Sequence, residues 1–324
     1  MKFRTETEVR PLGRTISHAS RLLAVGSCFA DNMAAALLRA KFRVTANPTG
    51  VLFNPASIAL ALKMFAQNRR VDTDDMTQSG DRFFDYRFHG SLAGTSAAEA
   101  AERCNRAIAA GHEALGEADT VIVTFGTAWV YTLNRTGQVV ANCHKQPSSL
   151  FTRSRLSVAD ITAMFAELLE AELHDKFVIF TISPVRHLGD GADENFLSKA
   201  TLKLAVAELV ERFDNAVYFP AYEILNDDLR DYRFYADDLV HPSSQAVAYI
   251  REKFFGAVLD KPTLDLLPRI ERVAAAAGHR PSQTRSAEFE AFCRNMTAQI
   301  DELEAAVEGL DFSAERAYFG SILQ

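Results

Sequence analysis

Continuous apolar runs, each closed by glycine, serine or proline, alternate along this chain with stretches in which apolar residues recur every three or four positions. The first run, Leu22-Leu23-Ala24-Val25, stops at Gly26 and predicts a strand over 21–26. Phe29, Met33, Ala36 and Leu37 then follow at helical spacing, which predicts a helix over 28–40. Phe42-Arg43-Val44 reads as a short second strand leading into Asn47-Pro48-Thr49-Gly50. Asn54-Pro55 opens the next helix with asparagine as N-cap and proline at its first position, ahead of Ile58, Leu60, Leu62 and Phe65. A further helix is expected over 97–115. Thr120 to Thr127 is the clearest strand: β-branched, continuously apolar and ended by Gly126. Apolarity on both alternations means burial on both faces, as in a parallel sheet covered by helices. Phe177 to Ile182 and Ala216 to Pro220 complete about five strands, with helices expected over 157–172 and 195–213.

Two stretches break the alternation. Residues 68–96 are polar except for the aromatic cluster Phe83 to Gly90, and predict an insertion with a small hairpin that shields a site. Residues 127–156 form a second insertion, and together the two are candidates for a lid. Near the C-terminus, Phe289, Phe292, Met296, Ile300, Leu303, Val307 and Leu310 recur at spacings of three and four, an apolar stripe on a helix of about six turns. Such a stripe is buried either on its own domain or on a second copy of the chain, which would make a homo-oligomer. The expected organisation is an α/β domain over 1–260 and a helical extension over 261–324 that supports stability or assembly and supplies no catalytic residue.

Composition narrows the classes of function. With 324 residues, 48% hydrophobic and 24% charged, the chain can bury a sizeable core. No apolar stretch reaches bilayer-spanning length, and the first eight residues carry charges of both signs without an apolar segment, so a cytoplasmic protein is expected. A net charge of −7 argues against nucleic acid or an anionic membrane as partner. Cys28, Cys104, Cys143 and Cys293 lack C-x-x-C spacing, so neither a disulfide framework nor a structural zinc site is expected. No metal or cofactor is expected.

In open parallel sheets ligands bind at the carboxyl ends of the strands. That rule places Ser27, Gly50, Gly126 and Ser183-Pro184 on one rim. A strand that turns at Gly26 into a helix is expected to expose Ser27 at the helix N-terminus, where backbone N–H groups favour a developing negative charge. Serine is also a preferred N-cap, so this cue alone is weak. Cys28 beside it reads either as a thiol acidified by the same helix end or as a small apolar residue. The second cue is Asp238-Leu239-Val240-His241 before Pro242, at a loop-to-helix junction followed by Ala246, Ile250, Phe254 and Val258 at helical spacing. An aspartate and a histidine three apart there can share one hydrogen bond. With an exposed serine they form the set in which histidine takes the hydroxyl proton and aspartate fixes its tautomer. Trp129, Asn142, His144, Arg186, His187 and His89 follow rim positions or lie in the insertions, and are candidates for substrate contact.

Gly26-Ser27-Cys28-Phe29-Ala30 spells the signature of the GSCFA family, which is similar to the SGNH or GDSL hydrolases. The resemblance covers roughly residues 20–258, with Gly50 at the second-block glycine, Phe125-Gly126-Thr127 at the third block and Asp238 to His241 at the Asp-x-x-His block. It implies a three-layer α/β/α fold with a flavodoxin-like parallel sheet, a triad of Ser27, Asp238 and His241, and an oxyanion hole from the N–H groups of Ser27 and Gly50. The third block departs from the superfamily's Gly-x-Asn, reading Gly126-Thr127-Ala128. The third donor is therefore open among Asn54, Asn142 and Thr127. The resemblance implies an ester hydrolase acting through an acyl-enzyme on a small or carbohydrate ester. An O-acyltransferase acetylating a sugar would use the same triad, and a non-catalytic carbohydrate-binding or interaction protein is the third reading.

Overall fold

The computed structural model describes residues 4–278 and 286–323. Strand β1 (Arg21–Gly26) runs into α1 (Cys28–Arg39), β2 (Arg43–Ala46) and α2 (Pro55–Gln67). A hairpin of β3 (Thr77–Ser79) and β4 (Arg82–Phe84) precedes α3 (Ala97–Glu117) and β5 (Thr120–Phe125). Next come β6 (Trp129–Leu133), β7 (Gln138–Val140), β8 (Phe151–Arg155), α4 (Val158–Glu170), β9 (Phe177–Ile182), α5 (Ala192–Arg212) and β10 (Ala216–Phe219). A short turn of helix, α6 (Ala221–Glu223), leads to α7 (Ser244–Val258), α8 (Lys261–Gly278), α9 (Ala287–Ala306) and α10 (Ser313–Leu323).

The central sheet has five strands in the order β2-β1-β5-β9-β10, and all its pairings are parallel. This is the flavodoxin-like order, whose switch point lies between β1 and β5. Because side chains alternate along a strand, β1 feeds two cores. Leu23 and Val25 join Ile58, Phe65, Val123, Phe165 and Phe180 on the face covered by α2, α4 and α5. Leu22 and Ala24 join Phe29, Leu37, Ile179, Phe219 and Phe254 on the face covered by α1 and α7. Every residue of β5 and β9 is buried, as their continuous apolarity requires. Phe125 meets Phe165 edge-on at 4.8 Å between ring centres. Truncating a phenylalanine buried this way costs about 3–5 kcal/mol.

Both insertions are ordered and pack on each other. Residues 68–96 carry the expected hairpin. Residues 127–156 fold into an antiparallel sheet of order β7-β6-β8, which the sequence did not announce because its strands are short and only half buried. Phe84 and Tyr86 from the first insertion share a small core with Leu133, Val140 and Phe151 from the second.

From α8 onward the chain builds a core of its own. Cys293, Met296, Ile300 and Leu303 of α9 are buried against Ile270 and Val273 of α8 and Phe312 and Phe319 near and in α10. The buried stripe is rotated from the expected one, so that Cys293 lies inside and Phe292 is 40% exposed. The stripe is thus covered by helices of the same chain. This unit meets the α/β part where Lys41 pairs with Glu315 at 2.7 Å and lies over the Phe312 ring. Among the described residues no helix is long and apolar enough to cross a membrane.

Candidate active site

Ser27 sits where the sequence pattern places it, at the end of β1 as N-cap of α1, with its Oγ accepting from the Phe29 N–H at 3.3 Å. The turn depends on Gly26, whose φ is +135° and whose missing Cβ would lie 2.1 Å from the Thr124 carbonyl oxygen. The expected exposure is corrected: Ser27 is only 1% exposed. The close approach of β1 to β5 that glycine permits also draws the next residue inward, and the Ser27 N–H donates to Thr124 O at 3.0 Å. Cys28 is more accessible than its neighbour. Burial and then the nearby Asp31 push its thiol pKa up rather than down, so it behaves as a small apolar residue and not as an acidified thiol.

The aspartate and histidine meet. Asp238 Oδ2 lies 2.6 Å from His241 Nδ1, and both side chains are about half exposed. The contact is built locally: Leu239 takes a left-handed φ of 57°, which lets Asp238 Oδ1 accept from the N–H groups of Val240 and His241 at 2.9 Å each. Those two N–H groups first, and then the imidazole, hold the Asp238 pKa down to about 2. Arg186 docks the loop onto the end of β9, its N–H donating to Val240 O at 3.1 Å and its Nη1 to Leu239 O at 3.3 Å. Among the described residues no hydrogen bond joins His241 to Ser27.

Between them lie two residues of contrasting visibility in the sequence. Lys199 of α5, which sequence reasoning missed, is 2% exposed and donates to the carbonyls of Gly126 at 2.6 Å and Ser183 at 2.8 Å, just beyond the ends of β5 and β9. Burial lowers its pKa to about 7, opposed in part by Cys28. His187 has a buried Nε2 without a hydrogen-bond partner among the described residues. Burial, and then Lys199 and His241, lower its pKa to about 4. These mutual influences join Cys28, Lys199, His187 and His241 in one neighbourhood.

The remaining rim residues divide by how far they are already committed. The Gly50 N–H donates to Asn47 O at 2.8 Å. Gly50 has φ +80°, and a Cβ there would lie 2.3 Å from that of His89, so His89 closes over the loop that follows β2. The N–H groups of Ser27 and Gly50 are thus both committed to backbone carbonyls. Thr127 Oγ1 is paired with Ser198 Oγ at 3.0 Å and accepts from Trp129 N–H at 3.1 Å. Asn54 caps α2, its Oδ1 accepting from the Ser57 N–H at 2.8 Å, which leaves its Nδ2 without a partner among the described residues. Asn54, Thr127, Trp129, Asn142 and His187 line one cleft of about 380 Å³. In its wall Arg153 lies 3.7 Å over the Trp129 ring and pairs with Asp190. His144 is taken up in packing instead, stacked on Phe84 at 4.0 Å, with its pKa lowered by burial. No group of three or more His, Cys, Asp or Glu able to hold a metal ion occurs among the described residues.

These features define a doubly wound α/β protein with a serine and an Asp–His pair on the carboxyl rim of its sheet. The chain belongs to the GSCFA family, which it matches over residues 21–254, and residues 270–324 match the GSCFA domain protein, C-terminal domain. No curated protein matches the chain.

Proposed function

We propose that this protein is a serine ester hydrolase of the SGNH type, with Ser27 as nucleophile, His241 as general base and Asp238 as the residue that orients it. The observation that carries the reading is the 2.6 Å contact between Asp238 and His241 Nδ1. A carboxylate on Nδ1 fixes the proton there and leaves the Nε2 lone pair as base. Ser27 Oγ attacks the ester carbonyl while its proton passes to His241 Nε2. The tetrahedral oxyanion collapses, and the leaving alkoxide takes that proton. Water then repeats the sequence on the acyl-enzyme and releases the acid. Ser27 must turn from its long cap bond for this, and the opening of this buried turn is part of the proposed cycle. Asn54 is the preferred side-chain donor to the oxyanion, because its amide is anchored through Oδ1 and its Nδ2 is free, whereas the Thr127 hydroxyl is committed to Ser198. The alcohol portion, small or carbohydrate, occupies the cleft beside Trp129.

The burial of Ser27 favours one rival, a non-catalytic carbohydrate-binding protein, and a single experiment separates the two. A fluorophosphonate labels an activated serine, and peptide mass identifies the residue. Labelling of Ser27, lost in Ser27→Ala and kept in Cys28→Ala, is the expected result. Labelling of Cys28 alone, or of neither residue, overturns the assignment.

A further inference from the structure

A second cleft is lined by the segment that follows β9 and by the stretch between α6 and the Asp–His loop. Its volume is about 240 Å³, and Arg186, Asn226, Arg230, Asp231, Tyr232 and Tyr235 contribute to its wall. Arg186 and His187 are consecutive on the segment after β9, and each lines a different cleft. The Arg186 guanidinium lies 5.3 Å from the Tyr235 ring centre and 5.8 Å from that of Tyr232. It makes no ion pair with a carboxylate among the described residues. Its one protein acceptor there is Leu239 O, so most of its five N–H groups are uncommitted. The neighbouring charges have partners of their own: Arg230 pairs with Asp227, and the Asp231 carboxylate lies 3.9 Å from the Arg233 guanidinium. An arginine flanked by two aromatic rings and left without a counter-ion is preorganised for a planar or tetrahedral oxyanion.

We propose that this cleft is a subsite for an anionic group, a carboxylate or a phosphate, on the ester that the protein cleaves, with Arg186 as the residue that binds it. The proposal rests on the hydrolase reading for its substrate and on the cleft alone for its anion. Arg186 also braces the loop that carries His241, so occupation of the subsite and the position of the dyad are linked.

The test compares three acetates of similar shape: 4-acetoxybenzoate, 4-acetoxyphenyl phosphate and the neutral 4-acetoxybenzamide. A charge-assisted hydrogen bond to arginine supports a preference in kcat/KM of about tenfold or more for an anionic ester over the amide. Arg186→Gln is expected to reduce that preference about tenfold, mainly through KM, and Arg186→Lys to restore part of it. Whichever anion is preferred identifies the chemistry. Binding of the product 4-hydroxybenzoate, or of 4-hydroxyphenyl phosphate, is measured by calorimetry alongside. At least one is expected to bind the wild type and to bind Arg186→Gln about tenfold more weakly. Anion binding that depends on Arg186 without turnover of any acetate retains the subsite and rejects the hydrolase. Equal rates for charged and neutral esters, or anion binding unchanged in Arg186→Gln, overturns the subsite.

Discussion

Lys199→Met should change how stability depends on pH. The lysine is buried between two carbonyl oxygens at 2.6 and 2.8 Å, with no carboxylate in contact with it among the described residues. Burial lowers its pKa from 10.5 to about 7. Between those two values the unfolded chain binds more protons than the native one, so stability rises with pH through that window, and the penalty is fully present below pH 7. The depression from 10.5 to about 7, at ~1.36 kcal/mol per pH unit, sets that full penalty at about 5 kcal/mol. Roughly 2 kcal/mol of it is relieved between about pH 7 and 9. Methionine removes the ionisation but leaves the Gly126 and Ser183 carbonyls without their donor, at about 1–3 kcal/mol each. These opposing effects are of similar size near neutrality, so the stability change at one pH decides little, whereas the slope decides. Urea unfolding of both proteins at about pH 7 and 9 is expected to show the wild type gaining about 2 kcal/mol more than Lys199→Met. The other titrating groups are common to the two, and those that Lys199 influences, His187 and Cys28, are shifted away from this window, so their contributions largely cancel. Parallel pH dependences would refute the reasoning, since the lysine would then ionise alike in the folded and unfolded chains.

Three further outcomes can be checked. His187, with its pKa lowered to about 4, makes the unfolded chain the stronger proton binder between pH 4 and about 6.5. Stability therefore falls as pH drops through that window, and His187→Phe should remove about 1–3 kcal/mol of the loss in acid unfolding. Asp238→Asn should lower kcat on 4-nitrophenyl acetate by about 10³–10⁴-fold, because the amide no longer holds the Nδ1 proton. Asp237→Asn should change it little, and equal effects would remove Asp238 from its assigned role. Deleting residues 285–324 uncovers Ile270 and Val273 of α8 and should lower the melting temperature or cause association in sedimentation. An unchanged melting temperature and mass would contradict the packing described.

What could be read from the sequence was local. The Asp238–His241 pair lies within one turn, and its three-residue spacing suffices to predict the contact. The three inner strands β1, β5 and β9 were the most legible, because each is buried on both faces along nearly its whole length and ends at a breaker, whereas the edge strands β2 and β10 are short and only partly buried. Strands β6 to β8 were not, since Trp129-Val130-Tyr131-Thr132-Leu133 buries only Val130 and Leu133 fully and reads as loop. The burial of Ser27 depends on how closely β1 approaches β5, which no local pattern encodes. Lys199 did leave a signal: it falls among Asn195, Ser198, Thr201, Leu202, Ala205, Val206 and Leu209, the other buried residues of α5, at the helical spacing of a core-facing stripe. A lysine on such a stripe predicts either a buried partner or a perturbed amine.

The sheet itself explains how a cation without a carboxylate is tolerated there. Where parallel strands end, their last carbonyls have no next strand residue to accept from, and at β5 and β9 the Gly126 and Ser183 oxygens converge on one point. An amine there satisfies both, and it does so in either protonation state, because a neutral amine still has two N–H groups to give. Loss of the proton therefore removes charge from the centre of the rim without removing either hydrogen bond. Gly126 leads directly to Thr127 in the first cleft, and Ser183 leads through Pro184 and Val185 to Arg186 in the second. Lys199 thus ties together the two segments that bear the walls of both clefts. Its charge changes near neutrality while the tie remains, which makes the electrostatic potential around His187 sensitive to pH with the backbone of the rim held in place.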